Sequence, residues 1–596
     1  MPTCALHEVP NKETAAPAWS KKDALLCGAL LLLTLARLLL AWCTPVTADL
    51  SPSSAFDDSL FIKLGMSIAS GKWLGLYDKL TLAKNPGYPL FLAFCSKLGV
   101  RYQLVFCLLL VFSSLAFAMA LRPMVNSRLA RSVVYVALLY IPLCFTTTWF
   151  TRIYRDGLVI PLTIAVFAGF IGMYLRRDEG VKRLLPWATI AALPYGCLQG
   201  VKENGVWILP FVGVCSIVIL IGWIAKVRSR SLGMAALVAH VSLLAAPFIC
   251  GFLFTYVLGA MNSSIYGVPT LSERFSGSFA RVSSDMARID ADCDHTALWI
   301  SKDSLEDALA VSPTLRRAEP EIRESWARWS ELFDNEEVYG DMSYWTLRDG
   351  VYDSGAVESA TDAEAYWSSV ADEIEAAFRN GQIRVRDGLK VSAVAPAIQA
   401  NDFGPWVGRT AWTCGRLAML SQMNSRVIGR IDEQTSPGAY DPDEMARVCD
   451  FLGGNVLPDG APGDGSAVHE AACRVDYLLG KGGVLILRLC LLGLVPLLVW
   501  LLASRRALPA KRAKVELALV VAGLLLTAFA FEAATCWYVQ YQLGIFTVDS
   551  YLFEISKYSP EFYVCLILAT ITVISVSVSS LRKGNNGRRE ELRPRH

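Results

Sequence analysis

Residues 21–43 read KKDALLCGALLLLTLARLLLAWC, and this basic start followed by a long apolar run decides what kind of molecule the chain forms. Crossing a hydrocarbon layer takes about 20 mostly apolar residues, because each helical residue advances the axis by about 1.5 Å. Similar runs recur near 102–121, 132–149, 157–175, 184–200, 206–225, 232–259, 483–503, 514–535 and 560–580. The 596 residues are 54% hydrophobic and 18% charged, with a mean hydropathy of +0.39, which is more apolar side chain than a soluble core uses. The expected fold is therefore mainly α, a polytopic membrane helix bundle of about ten transmembrane helices.

Positive charge orients the bundle, since Lys and Arg beside a span are retained in the cytoplasm. Lys21 and Lys22 precede the first span; Arg122, Arg128 and Arg131 follow the second; Arg176, Arg177, Lys182 and Arg183 follow the fourth. Lys226, Arg228 and Arg230 follow the sixth, Arg505, Arg506, Lys511, Arg512 and Lys514 the eighth, and an Arg-rich tail the tenth. Every second boundary is basic, so both termini are expected in the cytoplasm. Bulky Trp42 before Cys43 argues against cleavage there, and the first span is read as a retained anchor.

The division that follows is a cytoplasmic N-terminus at 1–22, a seven-span module at 23–261 with a first exoplasmic loop at 44–101, and an exoplasmic soluble domain at 262–479. Three further spans at 480–581 and a basic cytoplasmic tail at 582–596 complete it. The soluble domain reads as mostly helical. Thr361 and Glu364 match a capping box, Gly381 a stop, and Trp367, Val370, Ile374 and Phe378 a single apolar stripe. The stretch around Trp345 and the segment from Pro405 to Ile428 suggest further helices, and Gly453 to Gly465 a loop. Of the sixteen cysteines, Cys293, Cys414, Cys449 and Cys473 fall in this domain, where disulfides or buried thiols are both open.

Chemistry concentrates in the first loop, AFDDSLFIKLGMSIASGKWLGLYDKLTLAKNPGYPLFLAF at 55–94. Leu60, Phe61, Leu64 and Ile68 recur at helical spacing, so a juxtamembrane helix is expected from about Asp57, with an apolar face on the bundle or the lipid. The plain reading of Asp57 or Asp58 is a helix N-cap. The functional reading is that two adjacent carboxylates share a cleft with Lys84-Asn85-Pro86 downstream. Arg152-Ile153-Tyr154-Arg155-Asp156-Gly157 and Lys202-Glu203-Asn204-Gly205-Val206-Trp207 lie at span edges on the same side.

An acidic pair opening a long juxtamembrane loop, a Gly-Lys-Trp-Leu turn, a Lys-x-Pro segment and these two edge motifs together resemble the GT-C glycosyltransferases over roughly residues 20–260. That superfamily includes protein mannosyltransferases and lipid A aminoarabinose transferases, and the likeness is closest to bacterial members with a large exoplasmic insert. The resemblance implies a plasma-membrane enzyme that transfers a sugar, with inversion, from a polyprenyl-phosphate donor to an exoplasmic glycan, lipid or protein. On this reading 23–261 is the catalytic module and Asp57 the base that takes the acceptor's proton, with Asp58 assisting. Lys84, Arg155 and Lys202 are the candidate ligands of the lipid phosphate, or residues that snorkel to the interface, and Asp156 and Glu203 contact the sugar or pair with those cations.

No obligatory cofactor is expected, although paired carboxylates can hold a divalent metal. His469-Glu470-Ala471-Ala472-Cys473 lacks the second His of a zincin helix, and Asn262-Ser263-Ser264 is a sequon only where a cell glycosylates. Nucleic-acid binding finds no support, because the basic residues are spread over cytoplasmic segments. A transporter or flippase of a lipid-linked glycan, or a non-catalytic sensor, would use similar spans. A transporter usually places ionisable groups at mid-membrane, whereas Glu532 is the main acid within a span and lies near its exoplasmic end.

Overall fold

The structure is a computed structural model that describes residues 21–48, 57–203, 205–390, 392, 394–428, 442–454, 456–458, 466–504, 508 and 510–591. Residues 1–20, the stretch 49–56 of the first loop, most of the expected loop at 453–465, Arg505, Arg506 and the last five residues of the tail lie outside it. About 75% of the chain is helical.

Among the described residues, nine helices are long and apolar enough to cross a membrane: Lys21–Cys43, Tyr102–Ala120, Arg128–Phe145, Arg155–Leu175, Leu209–Arg228, Met234–Tyr266, Ala467–Ala503, Lys511–Leu543 and Pro560–Leu581. The remaining expected span is the helix Val181–Val201, which carries Lys182, Arg183, Pro186 and Pro194 and is less apolar. Peripheral helices turn bare leucines outward, Leu32 at 69% and Leu492 at 73% exposure, as lipid contact requires and water does not favour. These features make the chain an integral membrane protein.

Arg155–Leu175 is the axis of the bundle, with every residue buried. Tyr102–Ala120 and Val181–Val201 pack against it, and Met234–Tyr266 packs outside Val181–Val201. Basic side chains gather at one end of the bundle, where Arg177 pairs with Glu516 at 3.0 Å, Lys226 with Asp178 at 2.6 Å and Arg128 with Asp23 at 2.7 Å. The first loop and the soluble helices cover the opposite end, here called the loop face.

The third span is interrupted as it reaches the loop face. Pro142 cannot donate a backbone bond and holds Ile141 extended, so the helix Arg128–Leu139 gives way to the turns Pro142–Phe145 and Thr147–Thr151. The freed backbone groups are satisfied from elsewhere, as irregular backbone among spans must be. Thr147 N–H donates to Arg426 O at 2.7 Å, Ile428 N–H to Phe145 O at 3.1 Å and Ile153 N–H to Thr47 O at 3.1 Å. A short parallel ribbon, Val46–Ala48 against Val456–Pro458, ties the start of the first loop to the chain that precedes Ala467–Ala503.

The residues expected as one soluble domain contribute to three cores, the smallest of which joins Val268 and Ala360 to Leu60, Leu64 and Trp73 of the first loop. Helices from Gly277–Met286 to Ala360–Arg379 enclose their own, with Trp299, Trp367 and Tyr344 at its centre. Leu417, Leu420, Met423, Ile428, Phe451 and Leu452 instead join the core of the spans. The flanking helices also run further than expected, to Tyr266 on one side and from Ala467 on the other, while the last helix continues through Glu591.

The helix expected at 361–380 runs Ala360–Arg379, and Gly381 leaves it in the left-handed region at φ +68°. Its cap is Ser359, which accepts from Asp362 N–H. Glu364, expected in the capping box, instead accepts from Ser278 N–H at 3.1 Å and Ser278 Oγ at 2.7 Å and caps a different helix. The sequon Asn262 is fully buried: Trp73 Nε1 donates to its Oδ1 at 2.8 Å, and its Nδ2 donates to Thr270 O at 2.6 Å. It locks the first loop to the span end. Cys293, Cys414, Cys449 and Cys473 are all free thiols.

Candidate functional site

The first-loop helix begins at Asp57 and runs to Ala69, burying Leu60, Phe61 and Leu64 as its stripe requires. Its two leading carboxylates take different partners. Asp58 is fully buried, and Arg152 holds both its oxygens, from Nε at 2.8 and 2.9 Å and from Nη2 at 2.6 Å. Asp57 keeps 23% of its side chain exposed and meets Lys84 Nζ at 3.3 Å. Each of the adjacent carboxylates is thus turned to its own cation. Among the described residues no three His, Cys, Asp or Glu side chains gather where they could hold a metal ion.

Burial raises the pKa of Asp57, but Lys84, Arg155, Lys557 and Arg152 together outweigh it and hold the carboxyl at about 2. Lys84 is pushed below the usual lysine range by burial, against the pull of Asp57. Lys557, the last residue of the helix Val548–Lys557, is lowered by burial too; it faces Glu554 at 3.7 Å and lies 5.6 Å from the Tyr154 ring centroid.

Arg155 opens the central helix and clasps Glu203, its Nη1 lying 2.8 and 2.6 Å from the two carboxylate oxygens. Its Nε is buried without a protein partner. Glu203 also accepts from Asn85 N–H at 3.1 Å, while Asn85 Nδ2 donates to Gln199 O at 3.1 Å. Burial would raise Glu203, yet Arg155 and Lys84 keep it below the usual carboxylate range. Lys202, next in sequence, points elsewhere. It ion-pairs with Asp156 and reaches the Glu561 oxygens at 3.1 and 3.2 Å, with only 5% of its side chain exposed.

Of the residues expected in one cleft, Asp57, Lys84, Arg155 and Glu203 are brought together. Asp58 anchors Arg152 beside them, and Asp156 and Lys202 form a separate buried triad with Glu561. Lys557 and Glu561 escaped the sequence reading. Their signal is a cation and an acid on either side of Pro560, at a span edge on the sparsely basic side, the setting that singled out Lys202.

The soluble helices supply one wall. Arg348 Nε donates to Lys79 O at 2.8 Å and pairs with Glu273, which clamps the helix Met342–Asp353 onto the first loop. Trp345 on that helix then lies 5.9 Å from Lys84 Nζ and 5.5 Å from Arg274 Cζ, measured from its ring centroid. Arg274 is in turn held by Asp341 and Tyr538.

The turn carrying Lys84 rests on a close backbone approach. A Cβ at Gly87 would lie 2.4 Å from the carbonyl carbon and oxygen of Gly200, and backbone cannot step aside. Gly87→Ala is expected to separate the Lys84 turn from Gln199 and Glu203 and to destabilise by about 1–3 kcal/mol; the thermal-unfolding midpoint of the purified variant measures it, and an unchanged midpoint would refute the contact.

A groove of about 720 Å³ opens beside this cluster, lined by Asn85, Gln199 and Glu203 and, from the helix Met234–Tyr266, by Phe252, Tyr256 and Ser263. Asn85 and Glu203 thus belong both to the groove and to the charged cluster behind it. No protein-family model and no curated protein matches the chain.

Proposed function

We propose that the chain is a membrane glycosyltransferase of the GT-C type, which moves a sugar from a polyprenyl-phosphate donor to an exoplasmic acceptor with inversion and without an obligatory metal. The observation that carries this reading is Asp57, a partly open carboxylate 3.3 Å from Lys84 and ringed by Arg152, Arg155 and Lys557 at the end of an apolar bundle. A lipid phosphate brings its charge to such a level of the membrane, and its departure needs cations there.

In the proposed step the acceptor oxygen attacks the anomeric carbon while its proton passes to the Asp57 oxygen turned away from Lys84. The bond from the anomeric carbon to the phosphate oxygen breaks, its electron pair stays on the lipid phosphate, and Lys84, Lys557 and the remaining Arg155 N–H receive that charge. Asp58 acts through Arg152, and Lys202 through Asp156 and Glu561, as positioning residues.

The test is a panel of radiolabelled polyprenyl-phosphate sugars offered to the purified chain in nanodiscs. Release or transfer of sugar from one or more donors is expected. A folded protein that turns over none of them would sink the reading.

A further inference from the structure

The groove beside the charged cluster has a composition that changes along its length. Phe252, Thr255, Tyr256, Gly259, Ala260, Ser263 and Ser264 line it from the helix Met234–Tyr266, a spacing that puts all of them on one helical face. Twelve residues separate its ends, about 18 Å along the axis. The deep end is aromatic, with Phe252 at 67% and Tyr256 at 63% exposure. Towards the loop face the lining is mixed, with Ser263, Ser264, Ser272 and Ser276 among Pro269, Leu271 and Phe275, and Asn85 and Glu203 add polar groups to it.

Two details select the head group that fits. Among the described residues Glu203 is the sole charged one of the lining, and its carboxylate is held by Arg155; Lys84, next to Asn85 in the chain, is turned to Asp57. A phosphate there would meet a carboxylate and no lining cation, so it is disfavoured. Asn85, Gln199, Thr255 and the lining serines are polar but uncharged, so the site offers hydrogen bonds to hydroxyls and no charge to pair with an anion.

We propose that this groove is a lateral binding site for a membrane amphiphile with an uncharged, hydroxyl-rich head, distinct from the cationic cluster around Asp57. Its alkyl chain lies along Phe252 and Tyr256, and its hydroxyls face Asn85, Glu203 and the serines towards the loop face. As the acceptor's site it rests on the transferase reading and makes the acceptor a glycolipid or similar polyol lipid, whose reacting hydroxyl reaches Asp57 past Asn85. As a binding site it stands without that reading.

The probe is a dodecyl glucoside carrying a diazirine in its alkyl chain, added to the full chain in phosphatidylcholine nanodiscs, photolysed and mapped by mass spectrometry. Labelling is expected on the face of 252–264, competed by unlabelled dodecyl glucoside and not by dodecyl phosphate. Ala260→Trp, at an exposed lining position, is expected to cut it about tenfold or more. Leu253→Trp, exposed on the same helix but off the groove, should leave it unchanged. Label spread evenly over the lipid-facing helices, equal competition by dodecyl phosphate, or full labelling of Ala260→Trp would overturn the site. Intact labelling in a protein that turns over no donor would sink the transferase reading alone, whereas transfer without specific labelling would sink the groove alone.

Discussion

Asp57→Asn is expected to lower the rate of sugar transfer by about 10²–10⁴-fold, the range over which a positioned proton acceptor contributes. The amide keeps the shape of the side chain and its place at the head of the first-loop helix, so the protein should remain folded. What it loses is the ability to accept a proton from the acceptor hydroxyl as the new bond forms. The pH dependence separates this role from a structural one. In the free protein the carboxyl is held at about 2, below its ordinary 3.8, so it stays ionised as pH falls to about 2 and puts no acid limb on kcat/KM above pH 4. A bound donor draws Lys84 and Lys557 towards its phosphate and adds a negative charge nearby. Both changes favour the protonated carboxyl, so its pKa rises and the acid limb of kcat must lie at higher pH than that of kcat/KM. Coincident limbs in the two profiles would refute this coupling.

Lys202→Ala is expected to act on stability before it acts on chemistry. The ammonium sits between Asp156 and Glu561 with 5% of its side chain exposed, and removing one member of a buried pair leaves uncompensated charge that costs about 3–5 kcal/mol. A large drop in the thermal-unfolding midpoint should follow. The double variant Lys202→Met with Glu561→Gln should recover much of it, because one of the two stranded charges goes with its partner. A lysine that served only to bind lipid phosphate would give a variant with the wild-type midpoint and a raised KM for donor, and that outcome would return Lys202 to the donor pocket.

The contrast between Lys84 and Lys202 marks how far the residues speak for themselves. The spacing of Leu60, Phe61 and Leu64 is enough to place a helix at Asp57, and the apolar runs are enough to place the spans, because both follow from local periodicity. Which cation meets which carboxylate depends on how five chain segments converge. Lys84, Arg155 and Lys202 look alike along the sequence, yet one faces Asp57, one Glu203 and one a buried triad. Lys557 stayed hidden because its helix is held in place by residues distant in sequence, among them Arg426, which donates to Ser556 Oγ, and Trp149 of the broken third span, whose Nε1 donates to Lys557 O. The boundary expected at 479–480 falls inside the helix Ala467–Ala503, where Gly480 and Gly483 admit Val427 and Pro142 closely. Ser359 caps the helix in place of Thr361, and Glu364 is taken by Ser278, a partner eighty-six residues away that local sequence does not show.

The most direct test compares donor binding with turnover in one experiment. Wild type and Asp57→Asn in nanodiscs are titrated with polyprenyl phosphate, and each is then loaded with the labelled polyprenyl-phosphate sugar that the wild type uses. Removing the Asp57 charge frees Lys84 and takes away an anion beside the phosphate, so the variant should bind the lipid phosphate as tightly as wild type or more tightly. Its transfer per bound donor should nevertheless collapse. Weakened lipid-phosphate binding with wild-type transfer per bound donor would contradict the assignment of Asp57 as the base.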